Sequence, residues 1–184
     1  MRFRETELAG AFVIELEPHA DERGFFARSF CASEFADRGL ATRYVQSNLS
    51  YNRRAGTLRG MHYQAAPHTE VKRVRCIAGA VYDVIVDLRS DSPTRLAWTG
   101  VELSADNRRE LYIPEGFAHG FLSLRDDTEV AYEMGASHAP EAARGFRWDD
   151  ARIAIAWPAE PVVISQRDRS YPDLDPRTLR EDGL

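Results

Sequence analysis

Cysteine is almost missing from this chain. The two present, Cys31 and Cys76, are far apart and show no CxxC spacing, which argues against both a disulfide framework and a zinc site. Long apolar runs are missing as well. Met1 is followed by Arg2, Glu5 and Glu7, and no stretch is long enough for a secretion signal or a membrane span, so the expected compartment is cytoplasmic. There is no basic excess: 29 acidic against 24 basic residues give a net charge of −5. That balance disfavours nucleic acid or an anionic membrane as the main partner, while a local basic pocket for a small anion stays open. Internal repeats, linkers and low-complexity tracts are also lacking. What remains, 184 residues with 43% hydrophobic content, suits one domain with one buried core over 1–184.

From residue 12 to residue 127 the chain reads as short β-type runs divided by Gly, Pro, Asn and Asp, so the expected class is all-β. The clearest run, 81–88, alternates Tyr82, Val84, Val86 and Leu88 on one apolar face with Asp83, Ile85 and Asp87 on a mixed one. Further strands are expected at 11–17, 25–30, 56–63, 72–77, 97–103, 109–113, 119–123 and 128–134, a spacing that suits a sandwich or barrel. One short helix is predicted over 33–39, with Ser33 as its N-cap and Gly39 as its stop. After about residue 149 the Pro-rich, charged tail is expected to wrap the barrel, with 153–157 as an optional strand.

Gly60, Ala66, His68, Lys72 and Gly79, followed by Pro114-Glu115-Gly116-Phe117-Ala118-His119, resemble the paired motif of the cupin superfamily. The resemblance implies a double-stranded β-helix, or jelly-roll, barrel. Metal-binding cupins carry His, His, Glu and His at positions 66, 68, 72 and 119. Ala66 has no donor atom and Lys72 would bring an ammonium to the cation, so no metal is expected.

Four segments carry a narrower resemblance: Asp21-Glu22-Arg23-Gly24-Phe25-Phe26, Gln46-Ser47-Asn48, Leu58-Arg59-Gly60-Met61-His62-Tyr63-Gln64 and Ile113 to Phe121. Together they resemble the dTDP-4-dehydrorhamnose 3,5-epimerase family, in order from about Gly10 to Asp173. In that chemistry a 4-keto group acidifies the hydrogens at C3 and C5 of a nucleotide-linked sugar. Epimerisation then needs a base on one face, an acid on the other and a cation or donor at the enolate oxygen, and no cofactor. The resemblance implies His62 as base with Asp168 as its carboxylate partner, Tyr132 as acid and Lys72 as the cation. It assigns Arg23, Arg59, His119 and the Gln46-Ser47-Asn48 run to the diphosphate, where an arginine fork suits phosphate oxygens. It further implies a homodimer in which the segment carrying Arg23 and Phe26 packs against the partner's site.

Strand parity adds two expectations of its own. Lys72 shares a face with Val74 and Cys76, and an inward lysine needs a partner, with Asp83 or substrate the candidates. Arg59 and His62 would face opposite sides of a regular strand, so both reach one pocket only if Gly60 marks a bulge or a local twist that re-aims the chain. The chain departs from the family at Arg28, where a carboxylate is usual, and at His138, where an aromatic is usual, which opens CDP or another base in place of dTDP. Ala143, Glu133 and Arg167 also depart from it, so inversion at C3, at C5 or at both stays open. Two other readings stand beside this one: a metal enzyme using His62, His68 and His119, and a non-catalytic sugar-nucleotide-binding protein.

Overall fold

A computed structural model describes all 184 residues. The first half runs β1 (Arg2–Glu5), β2 (Phe12–Glu15), β3 (His19–Asp21), β4 (Gly24–Phe26), α1 (Ala32–Ala36), β5 (Gln46–Asn52), β6 (Thr57–Gln64), β7 (Lys72–Ala78) and β8 (Ala80–Asp87). The second half runs β9 (Trp98–Ser104), β10 (Glu110–Ile113), β11 (Phe117–Ser123), β12 (Thr128–Met134), β13 (Ala143–Gly145), β14 (Val163–Ile164), α2 (Gln166–Ser170) and α3 (Pro176–Glu181). One antiparallel sheet has the order β1-β2-β10-β7-β12-β5 and the other β13-β6-β11-β8-β9, with β14 joined parallel to β6. β3 and β4 form a separate hairpin. This two-sheet jelly roll is the all-β barrel expected from the sequence.

Alternation along the strands fills the barrel. Val74, Cys76, Leu111, Ile113 and Val130 of the first sheet meet Val81, Ile85, Leu103, Phe117 and Phe121 of the second, all almost fully buried. Each such side chain contributes about 1.5–3 kcal/mol relative to exposure. β8 reverses the simple expectation for a half-buried strand. Its mixed face, with Asp83 and Ile85, turns into the barrel, and Val84, Val86 and Leu88 turn outward. They are covered by the tail through Phe146, Ile153, Leu174, Leu179 and Leu184, so this strand is buried on both faces.

The tail also corrects the sequence reading. Residues 153–157 form no strand; Ile153 enters the outer apolar cluster, and Trp157 donates its indole N–H to the carbonyl of Trp148. β14, α2 and α3 occupy the tail instead. Around α1 the N-cap is Cys31, without a side-chain cap bond, and Ser33 lies inside the first turn. A serine one position past the helix start has no free amide two or three residues ahead to cap. Gly39 takes the left-handed conformation, φ +68°, expected of the residue that ends the helix.

Candidate active site

β6 supplies the central part of the site. It pairs with β11 in two registers, His62 opposite His119 and Arg59 opposite Phe121, so three steps on β6 match two on β11. The extra residue is the bulge at Gly60, and it brings Arg59 and His62 to one cavity despite their odd spacing. Gly60 has φ +139°, and a Cβ there would lie 2.6 Å from the Gly120 Cα. Only glycine satisfies both the conformation and the approach.

The cavity, about 640 Å³, lies between the sheets where the apolar filling stops. His62 Nε2 lies 2.7 Å from Asp168 Oδ1. α2 positions that carboxylate: Ser165 caps the helix by accepting the Asp168 amide at 3.0 Å, and the Gly60 amide donates to Asp168 Oδ2 at 3.4 Å. Burial opposes ionisation of Asp168. The bond and charge of His62, with the Gly60 amide and Ser165, outweigh it and hold the carboxyl below its ordinary range. An ionised carboxylate only accepts, so Nε2 carries the imidazole proton and Nδ1 the lone pair. Tyr171 packs edge-on against the ring at 5.9 Å.

Tyr132 comes from β12 in the opposite sheet. Burial pushes its phenol above the usual range, with a hydrogen bond to Ser50 at 3.2 Å acting the other way. Beside it, edge-on at 6.1 Å, His119 holds Nε2 against Asp83 at 2.9 Å. Asp83 is therefore taken, and the expected Lys72–Asp83 contact is replaced by another. Lys72 pairs with Glu70 at 2.9 Å, both side chains under 10% exposed, and Gln64 donates to the second oxygen of Glu70 at 3.1 Å. Lys72 is the chain's only lysine. In a sequence that meets every other need for a cation with arginine, that singularity was a signal available from composition.

The cavity wall includes His62, Asp168, Tyr132, Lys72, Arg59, His119, Asn48 and Arg167, with Arg167 Nε donating to the Tyr171 hydroxyl at 2.8 Å. The other expected binding residues lie off it. Ser47 is turned to the outer face of its sheet, where its hydroxyl donates to Glu133 at 2.7 Å, because its neighbour Asn48 takes the inward parity. Gln46 braces Asn48 from behind, amide to Oδ1 at 3.0 Å, and accepts the exposed His138 amide. Arg23 and Phe26 stand on the exposed β3–β4 hairpin, Arg23 bound to Asp21, and Arg28 is paired with Glu34 at 2.7 Å. The alternative metal set does not converge: His68 faces Glu141 at 3.8 Å, outside the cavity wall, and no three His, Cys, Asp or Glu side chains are spaced to hold an ion.

Residues 5–176 match the family model for dTDP-4-dehydrorhamnose 3,5-epimerase. A dTDP-4-dehydrorhamnose 3,5-epimerase of Methanothermobacter thermautotrophicus is 48% identical over 176 residues, 94% of each chain. A crystal structure of the Bacillus anthracis enzyme of that name, with TDP and pyrophosphate bound, superposes with a TM-score of 0.90 at 41% identity, covering 94% of this chain and 99% of that one. A dTDP-6-deoxy-D-glucose-3,5-epimerase of Legionella pneumophila in complex with dTDP-4-keto-L-rhamnose gives 0.87 at 39% identity, covering 94% and 92%.

Proposed function

The chain belongs to the dTDP-4-dehydrorhamnose 3,5-epimerase family, and we propose that it converts dTDP-4-dehydro-6-deoxyglucose to dTDP-4-dehydrorhamnose by inversion at C3 and C5. One observation carries this reading: a His–Asp pair and a buried tyrosine enter a single cavity from opposite sheets, with the only lysine on its wall. Binding alone asks for no such opposed base and acid.

His62 Nδ1 removes the proton at C3 or C5, and the C–H electron pair moves into the enolate whose negative charge falls on O4. Asp168 keeps the imidazole in the required tautomer and offsets the charge it gains. Lys72 stands for the developing oxyanion. The Tyr132 phenol, kept protonated by burial, delivers a proton to the opposite face. One proton is removed and one returned at each carbon, so no oxidant or reductant enters. Arg59 takes the diphosphate. Arg28 pairs with Glu34 away from the cavity wall, and the bound TDP of the Bacillus anthracis relative supports dTDP.

The functional unit in this proposal is a homodimer. Arg23 and Phe26 project from the hairpin with the Arg23 side chain 84% and Phe26 77% exposed, apart from their own cavity, which suits groups that complete the site of a second copy.

Incubation with dTDP-4-dehydro-6-deoxyglucose in deuterium oxide should place deuterium at both C3 and C5, read by proton NMR, and His62→Asn should place it at neither. Incorporation at C3 alone would reduce the reading to a monoepimerase, and none in the wild type would reject it.

A further inference from the structure

Arg59 does not stand free at the cavity wall. Its Nε donates to Asn52 Oδ1 at 2.8 Å and its Nη2 to the carbonyl of Tyr51 at 3.1 Å. Those two N–H groups form one side edge of the guanidinium plane. Held there, the group keeps its end edge, Nη1 with the second N–H of Nη2, for a ligand. Both acceptors are neutral, so the hold costs the guanidinium none of its charge.

Asn52 is built for this. It is 1% exposed, at the end of β5 opposite Thr128 of β12, and its Nδ2 donates to the Thr128 carbonyl at 3.1 Å. A carbonyl only accepts, so the amide group must face Thr128 and Oδ1 must face Arg59. The side chain is thereby locked at both ends. A long arginine loses much rotamer freedom when it grips a ligand, and a site that has already fixed it binds tighter.

We infer that Asn52 is a positioning residue for nucleotide diphosphate binding, holding Arg59 side-on so that it meets the phosphate oxygens end-on. The inference rests on the reading of Arg59 as the diphosphate ligand. Asn52 touches neither the sugar nor the reacting carbons, so its loss appears in affinity and KM while kcat is kept.

The test is a double-mutant cycle read by calorimetric binding of dTDP, with thermal melts to check folding. Asn52→Leu should weaken dTDP about tenfold, or about 1.4 kcal/mol. Asn52→Ser, whose hydroxyl stops short of Nε, should act in the same direction with less disturbance of the buried site. Both should raise KM and leave kcat within about twofold. In an Arg59→Gln background neither should change dTDP affinity by more than about twofold. Unchanged affinity in the single Asn52 variants, or a full penalty persisting without Arg59, overturns the inference. If Arg59→Gln alone leaves dTDP binding intact, the assignment of the diphosphate to Arg59 has failed, which is a different result.

Discussion

Asp168 illustrates how much of the proposed chemistry depends on one buried partner. Replacement by Asn would keep the shape, but an amide can present its donor to Nε2 and so favour the wrong imidazole tautomer. Asp168→Asn should lower kcat by about 10²–10⁴-fold with little change in dTDP affinity, measured by steady-state kinetics and calorimetry. The same carboxyl contributes to acid stability. Its folded value lies below the unfolded one of about 3.9. The stabilisation is therefore complete above that pH and disappears as pH falls through the folded value. Melting temperatures from pH 7 to 2.5 should drop more steeply at the acid end for the wild type than for Asp168→Asn, and parallel curves would refute the linkage. At this scale the meeting of His62, Tyr132 and Asp168 at one cavity was legible through ordered motifs, but the partners that hold them were not. Parity sent Lys72 inward, with Asp83 or substrate as the candidates; Glu70, two residues earlier and just outside β7, takes it instead. Asn52 gave no sign in sequence, because its partners Arg59 and Thr128 meet it only after β5, β6 and β12 are assembled.

Among elements, the bulge in β6 decides whether Arg59 and His62 share a cavity. Gly60→Ala would force a side chain onto a positive φ and against the backbone of Gly120. It should cost about 3 kcal/mol, lower the melting temperature by about 6–12 °C, and weaken dTDP binding and turnover together because the register of both residues shifts. Calorimetric melting with a normal temperature and normal turnover would show that the bulge is dispensable. The need for a bulge or a local twist could be read from the 59/62 spacing. By contrast β5 was missed, since polar Asn48 and Ser50 line the cavity while its apolar Leu49 and aromatic Tyr51 are largely exposed to solvent. A strand that borders a polar site has an inverted pattern, and a search for apolar inward faces passes over it. The tail elements were missed for a related reason. α2 and α3 are too short to show a helical period, and they are held by packing on the outer face of β8 and by Asp168 reaching β6.

For the whole molecule, the proposed homodimer makes a demand that separates it from a self-sufficient barrel. If the hairpin of one copy completes the cavity of the other, each site draws His62 from one chain and Arg23 and Phe26 from its partner. A His62→Asn chain and an Arg23→Glu/Phe26→Ala chain should then each be inactive or strongly impaired alone. When the two are mixed and allowed to exchange subunits, half of the dimers are hybrids, and each hybrid holds one site with an intact cavity and an intact hairpin. The other site in the hybrid carries both defects. Random exchange should therefore recover about a quarter of wild-type activity, assayed against dTDP-4-dehydro-6-deoxyglucose, as expected of a two-fold assembly with sites shared across the interface. Recovery requires exchange, so chemically crosslinking each parent before mixing should abolish it. If mixing restores nothing while sedimentation shows that hybrids have formed, each barrel works with its own hairpin or with none, and the exposed Phe26 needs another explanation.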